Sequence, residues 1–226
     1  KGDPGLILTD ACVAPDATEG TVDALVAACE RALMAAGAQI IQSSYVTGPA
    51  WQETFVRRSY DPLTLYLSRT RLDELDMPMA VRPAAPGDVA GIVRRSAEHR
   101  QILFGIDPFW AIHTDADARF AAWMSRSLTL GDRDMLVMGS SEDLGGYVIV
   151  QPASRLHFPP AHDISGTGVF DDFYHPDLAD PARLADGGND ATTLLRAAEV
   201  ALARRDVAAA FVVCPAGWQS KIDLLN

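Results

Sequence analysis

The chain has 226 residues, of which 48% are hydrophobic and 22% charged, a composition typical of a globular protein with one large domain or two small ones. Nineteen basic and thirty acidic residues give a formal net charge of −11, which disfavours nucleic acid and anionic lipid as partners. No apolar run reaches the roughly 18 residues of a membrane span and no signal peptide is visible, so we expect a cytoplasmic protein with no membrane partner.

The first third of the chain alternates predicted strands and helices. Apolar residues at 5–15 predict a strand, and a helical repeat from Val22 to Leu33 ends at Gly37, a typical residue after a helix. Next come a predicted strand at 38–45, a helix at 48–58 and a strand at 61–69. The order is therefore strand, helix, strand, helix, strand.

A charged segment containing Pro78 interrupts this order, and we interpret residues 73–79 as a linker. The pattern of the remaining residues begins with a predicted strand at 80–84, helices at 86–104 and 115–130, and a hairpin at 135–139 and 146–151. After a long loop at 152–168 it predicts a strand at 169–174, a helix around 194–202, a strand at 207–214 and a helix at 217–226.

The two parts of the chain are similar to each other. The dipeptide Trp51–Gln52 matches Trp218–Gln219 after a similar helix and strand, which favours an internal duplication over chance composition. In this alignment the strand at 61–69 has no counterpart after Asn226. We therefore expect an open sheet edge there, covered by further chain or by a homodimer contact.

The second part resembles the GNAT family, the acetyl-CoA-dependent N-acetyltransferases. The resemblance lies in "AVRPAAPGDVAGIV" (80–93), with Arg82 on a strand and Asp88 at a helix start, in "VFDDFYHPD" (169–177), and in the order of elements. It implies an α/β (α+β) fold in which a mixed central sheet is flanked by helices. It also implies two such units in tandem: residues 1–72 as the second half of a unit that lacks its front half, and residues 80–226 as a second unit.

The resemblance further implies acetyl-CoA as co-substrate. In this family the pantetheine arm pairs with the central strand, and the pyrophosphate binds backbone N–H groups at the start of the next helix, where the helix dipole favours anions. The positions implied here are Phe173, Tyr174, Gly187, Gly188, Asn189, Asp190, Ala191 and Thr192. Two of the family's preferences are not met, because Asn189 replaces a usual glycine and the carboxylates of Asp186 and Asp190 would repel a pyrophosphate.

Three residues at the end of the predicted central strand are candidate catalytic groups: Asp171, Asp172 and His175. Acyl transfer to an amine needs a base, and because strand side chains alternate, only one of the two aspartates is expected to face the cleft. The competing interpretation is a solvent-facing or ion-paired carboxylate and a turn histidine. The tyrosine acid of the family falls on Phe55 in the first unit and on Ile222 in the second, so neither unit has it.

An aromatic segment between the two helices at 86–104 and 115–130 is the candidate amine site. Phe104, Phe109, Trp110 and His113 could wall an acceptor pocket, or could equally pack in the core. The cysteines Cys12, Cys29 and Cys214 form no CxxC pair and have no His at metal spacing, which predicts buried free thiols and no metal site.

These features predict an N-acetyltransferase that acts on a small amine by direct attack. One alternative is a degenerate GNAT pair that binds acyl-CoA, or nothing, and acts as a sensor or scaffold. A second alternative is an unrelated α/β nucleotide enzyme, which is disfavoured because no GxGxxG or GxxxxGK[ST] segment follows a predicted strand.

Overall fold

The computed structural model describes residues 2–7, 12–44, 49–72, 76–154, 163–185 and 189–226. Its internal contacts divide the chain into two compact units, Lys1–Pro62 and Leu63–Asn226. We describe each unit separately.

The first unit contains two strands and two helices. Strand β1 (Pro4–Ile7) pairs in parallel with β2 (Ile40–Ser43), and the chain passes between them through helix α1 (Thr21–Ala35). Helix α2 (Pro49–Arg57) follows β2. Glycines with positive φ flank α1, Gly20 at 85° and Gly37 at 97°, where most other residues would be strained. This is the strand, helix, strand, helix order that the periodicity predicts.

The first unit has its own small core. Ile7, Val26 and Phe55 are buried, and Phe55 meets the ring of Tyr60 edge-on at 5.0 Å between centroids. Arg58 forms an ion pair with Glu30, which lowers the pKa of that carboxyl. Whether this unit is half of a GNAT unit stays a prediction.

The second unit contains six strands and five helices among the residues that the structure describes. The strands are β3 (Thr64–Arg69), β4 (Val81–Pro83), β5 (Asp134–Gly139), β6 (Leu144–Pro152), β7 (Thr167–Tyr174) and β8 (Ala209–Pro215). The helices are α3 (Val89–Ile106), α4 (Ala116–Ser127), α5 (Pro181–Ala185), α6 (Asn189–Ala203) and α7 (Gln219–Leu225).

These six strands form one mixed sheet in the order β3-β8-β7-β6-β5-β4. Only β7 and β8 pair in parallel, and the other four pairs are antiparallel. Helices α3 and α6 both pack on β6, whose residues are almost all buried. The predicted fold class, a mixed α/β sheet flanked by helices, is confirmed.

Strand β3 completes the edge of this sheet. It pairs with β8 over six residues, from Thr64 opposite Pro215 to Arg69 opposite Ala210. Arg69 also donates to the carboxylate of Glu199 at 2.8 Å. The sequence interpretation placed this strand in the first unit and left the edge of β8 open. Alternating apolar residues predict that a strand forms but not which strand it joins, and pairing with β8 satisfies the backbone groups of that edge.

The motif at the start of the second unit forms a buried ion pair. The guanidinium of Arg82 donates to both carboxylate oxygens of Asp88, at 2.7 and 2.8 Å. Asp88 is fully buried and also accepts from the hydroxyl of Ser141 at 2.6 Å and the backbone N–H of Ala85 at 2.7 Å. These donors outweigh burial and hold the pKa of Asp88 well below its usual range. The pair fastens the 3₁₀ turn before α3 to strand β4 and to the segment that follows β5.

Candidate active site

The two parallel strands of the sheet stop pairing before either of them ends. Their ladder runs from Thr167 opposite Ala209 to Phe170 opposite Val212, whereas β7 continues to Tyr174 and β8 to Pro215. We call the region between 171–174 and 213–215 the wedge. Backbone groups that have lost their strand partner need another, so an extended ligand or a side chain can bind there.

A bulge lies at the base of the wedge. On the β6 side, Ile149 lies opposite Asp172 and Val150 opposite Phe170, so Asp171 is the extra residue of β7 at this bulge. A bulge breaks the simple alternation of side chains from which we expected only one aspartate to face the cleft. Asp171 and Asp172 are both half-buried.

The carboxylate of Asp172 contacts two buried side chains. The hydroxyl of Tyr147, from β6, donates to its Oδ2 at 2.6 Å, and Nδ1 of His99, from α3, lies 3.2 Å from its Oδ1. Tyr147 is 1% and His99 9% exposed. The ring of His99 stacks on Tyr174, with 5.4 Å between centroids, and lies 5.2 Å from the ring of Trp218. We call His99, Tyr147 and Asp172 the triad.

Burial and hydrogen bonding set the charges of the triad. Burial opposes ionisation of Asp172, but the hydrogen bonds from His99 and Tyr147 outweigh it and hold the pKa of this carboxyl below its usual range. Burial lowers the pKa of His99, and Asp172 only partly offsets this. Burial also raises the pKa of Tyr147 well above its ordinary value. Near neutral pH the triad is therefore a carboxylate, a neutral imidazole and a neutral phenol.

The tautomer of His99 follows from this arrangement. A neutral imidazole carries one proton, and the carboxylate of Asp172 can only accept a hydrogen bond. The proton therefore lies on Nδ1, and Nε2 keeps a lone pair that can take up a proton. A carboxylate that orients a histidine in this way makes it a suitable general base.

A polar chain continues from the triad to the surface. Ser96 lies close enough to Tyr147 to oppose the rise in the pKa of its hydroxyl, and it accepts from the guanidinium of Arg100 at 2.6 Å. Arg100 also lies over the ring of Phe120, 5.7 Å from its centroid, and forms an ion pair with Asp117. These contacts fix α3 against α4 next to the triad.

Lys221, on α7, reaches into the wedge. Its ammonium Nζ donates to the backbone carbonyl of Phe173 at 3.0 Å and lies 5.5 and 5.2 Å from the ring centroids of Phe173 and Trp218. The residue is only 3% exposed. Burial lowers the pKa of Lys221, and the nearby carboxylate of Asp172 opposes this shift without reversing it.

His175 lies apart from the triad. It directly follows β7, and strand alternation directs it away from the face on which Tyr174 stacks on His99. Its Nδ1 lies 3.0 Å from Oδ2 of Asp177. Burial lowers the pKa of His175. One donor atom each from His175, Asp177 and Asp190 lie within 4.8 Å of one another, so these three residues could hold a cation.

The predicted phosphate loop is described only in part. Gly187 and Gly188 lie outside the described residues. Asn189 begins α6, Ala191 is buried in its first turn, and Asp190 and Thr192 are exposed there. Phe173 and Tyr174, predicted to flank the pantetheine arm, line the wedge through their backbone while their side chains are buried.

The predicted acceptor residues occupy α3 and the turn after it. Phe104 is 46% exposed, and the rings of Phe109 and Trp110 are nearly perpendicular, 5.2 Å apart. The indole Nε1 of Trp110 is buried and has no hydrogen-bond partner within the described part of the chain. His113 is exposed and accepts from the backbone N–H of Asp115 at 3.0 Å.

Sequence reasoning missed three of the residues around the wedge: His99, Tyr147 and Lys221. His99 lies within a long helix and Tyr147 in an apolar strand, and neither position has a motif around it. Lys221 had a signal, since it directly precedes Ile222, where the tyrosine acid of the family was sought. Among the cysteines, Cys214 is buried as predicted, but the prediction is wrong for Cys12, which is exposed.

Comparison with known proteins supports the fold. No protein-family model matches this chain, and no curated protein sequence matches it significantly. The crystal structure of a GCN5-related N-acetyltransferase from Sphaerobacter thermophilus is similar, with 18% identity and a TM-score of 0.50 over 88% of this chain and 60% of that one. A conserved protein of unknown function from Enterococcus faecalis V583, described as a probable N-acyltransferase, matches with 13% identity and a TM-score of 0.30 over 89% of this chain and 44% of that one.

The first of these likenesses, together with the strand order, shows that the chain has a GNAT fold. The chain spans about three fifths of the length of that N-acetyltransferase. In the part of the chain that the structure describes, no helix combines the length and the apolarity that crossing a bilayer requires.

Proposed function

We propose that this protein is an acyl-CoA-dependent N-acyltransferase, with acetyl-CoA as donor and a small amine as acceptor. The observation that carries the proposal is a histidine–carboxylate pair, the buried His99 and the half-buried Asp172, beside a wedge between parallel strands of a GNAT fold. The wedge is a place where an amide-containing arm could lie between β7 and β8, because the two strands no longer pair with each other there. The first turn of α6, where the helix dipole favours an anion, offers a site for the pyrophosphate.

His99 is the proposed general base. An amine at neutral pH is protonated and cannot attack, so a base must remove one proton. Nε2 of His99 accepts that proton while Asp172 holds Nδ1–H and stabilises the imidazolium that forms. The amine nitrogen then attacks the thioester carbonyl: the N–C bond forms, the C–S bond breaks and CoA leaves as a thiolate. The nitrogen loses a second proton as the amide forms, and this proton goes to the thiolate, while the proton on His99 passes to solvent, so that a neutral amide and CoA are released.

The aromatic turn after α3 is the proposed acceptor pocket. A buried indole N–H without a partner loses hydrogen-bond energy, which a ligand oxygen could restore. Phe109 and Trp110 would contact the apolar part of the amine. This arrangement favours a small amine that carries both an apolar group and a hydrogen-bond acceptor.

Two observations favour a second candidate, a protein that binds acyl-CoA without catalysis. Lys221 already occupies the carbonyl of Phe173 in the wedge, and Asp190 places a negative charge in the proposed pyrophosphate site. Both features would weaken a productive complex.

Release of CoA during incubation with acetyl-CoA and a panel of small amines distinguishes the two candidates. The enzyme proposal predicts turnover by the wild type and a fall of about 10²–10⁴-fold in the folded His99→Gln variant, because a positioned base contributes about that much. The exposed Asp132→Asn variant is the control and should turn over like the wild type. Saturable binding without turnover for any amine would support the second candidate instead.

A further inference from the structure

The lysine in the wedge stands out in a chain that otherwise uses arginine. Of the nineteen basic residues, seventeen are arginine and two are lysine, Lys1 and Lys221. A guanidinium stays charged at any pH relevant to a protein, whereas a buried ammonium can lose its proton and become a nucleophile. The chain therefore places its one internal lysine at the position where a neutral amine would have a chemical use.

The surroundings of Lys221 favour the neutral amine. Within the described residues, no carboxylate lies within 4.0 Å of its Nζ, which donates instead to the uncharged carbonyl of Phe173. Two aromatic rings, those of Phe173 and Trp218, cover it. A buried ammonium without a close counterion is unfavourable. Burial accordingly lowers the pKa of Lys221.

The position of Nζ coincides with the proposed path of the thioester. Phe173 is the residue after Asp172, so Nζ lies one residue along β7 from the carboxylate that holds His99. Its acceptor is a backbone carbonyl in the wedge, where the two parallel strands no longer pair. An acyl-CoA arm that pairs with β7 must displace this amine or lie against it.

We propose that Lys221 is a self-acylation site, whose Nζ takes the acyl group from an acyl-CoA thioester bound in the wedge when no external amine is present. This inference rests on the proposed donor. In the step, the Nζ–C bond forms and the C–S bond breaks. One proton of the amine passes through His99 or solvent to the CoA thiolate, giving an Nε-acyl-lysine and free CoA.

The product suits the site better than the reactant does. An acyl-lysine, unlike an amine, cannot take up a proton and become a buried cation, and it keeps one N–H, so the hydrogen bond to Phe173 can persist. An amide does not give up its acyl group to an amine, so the reaction stops after one acyl group per chain. Because the acyl-lysine then fills the wedge, we expect the modified chain to have lost transferase activity.

The test is mass spectrometry of the full chain incubated with isotopically labelled acetyl-CoA and no amine. The expected result is one acetyl group, located on Lys221, formed at least about tenfold faster than on Lys1, because binding places the thioester beside Lys221. Acetic anhydride, which needs no binding site, should not show this preference for Lys221. Lys221→Arg keeps the cation and should remain unmodified, and Lys221→Met is used if the arginine does not fold.

The outcomes separate this inference from the proposed function. Turnover of external amines with Lys221 unmodified overturns the self-acylation alone. Modification of Lys221 without turnover of any amine supports the self-acylation and contradicts transfer to small amines. Equal labelling of Lys1 and Lys221 by acetyl-CoA shows non-specific chemistry and overturns the inference, and the absence of both binding and labelling overturns the two proposals together.

Discussion

Replacement of Asp88 by alanine tests the buried ion pair that fastens the start of the second unit. The carboxylate accepts four hydrogen bonds, two from Arg82 and one each from Ser141 and the backbone of Ala85. Removing one partner of a buried ion pair typically destabilises a protein by about 3–5 kcal/mol. Here Arg82 is 38% exposed and also donates to the carbonyl of Gly139, so its charge stays partly solvated. We therefore expect a loss of about 2–4 kcal/mol.

Thermal unfolding followed by circular dichroism measures this loss. For a chain of this size about 2–4 kcal/mol corresponds to a fall in Tm of roughly 5–15 °C. The same measurement tests how this stabilisation depends on pH. The pKa of Asp88 is lower in the folded chain than in the unfolded one, so the ionised carboxylate stabilises the fold above about pH 4, and this stabilisation is lost as the pH falls toward the folded pKa. The difference in Tm between the wild type and Asp88→Asn should therefore shrink in acid. The control is Asp132→Asn, an exposed carboxylate paired with Arg133. A Tm for Asp88→Ala that equals that of this control would refute the reasoning.

Three further predictions concern the sheet and the triad. Gly146→Ala should destabilise the protein by about 1–3 kcal/mol in urea unfolding, because a Cβ there would lie 2.7 Å from the ring of His175; an unchanged midpoint would contradict this packing. A truncated chain of residues 80–226 lacks β3, which exposes the edge of β8. We expect this chain to aggregate, as measured by light scattering, whereas a chain of residues 63–226 should stay monodisperse. Equal behaviour of the two chains would exclude protection of this edge by β3. As the pH is lowered, kcat/KM should fall only below about pH 6.5, because burial lowers the pKa of His99 and a protonated His99 cannot act as a base. A midpoint of the kcat/KM profile above this pH would exclude His99 as the base.

The sequence predicted those parts of the fold that depend on local patterns. The repeat from Val22 to Leu33 specifies a helix whatever surrounds it, and the apolar runs of β5, β6 and β8 specify strands in the same way. The partner of β3 could not be read from its own residues. Its pairing depends on which backbone edge remains open after the rest of the sheet has formed.

Sequence reasoning found only those site residues that can be recognised from the strand in which they lie. Asp172 was selected from its place on the central strand, and the structure gives it two buried partners. Those partners, His99 and Tyr147, are distant from it in sequence and meet it only after α3 has packed on the sheet. The bulge at Asp171 has no signature in a single sequence, and it altered the expected alternation of the two aspartates.

Calorimetric titration of the full chain with CoA, which has no acyl group to transfer to Lys221, tests the central claim most directly, together with a variant that adds a negative charge at the start of α6. Thr192→Glu places a carboxylate at an exposed position in the first turn, where it favours the helix but repels a pyrophosphate. The control, Thr129→Glu, makes the same change at another exposed threonine. The account predicts one CoA per chain, bound at least about tenfold more weakly by Thr192→Glu, a difference of about 1.4 kcal/mol, and bound with unchanged affinity by Thr129→Glu. No heat of binding with the wild type, or equal affinity in the two variants, would contradict it.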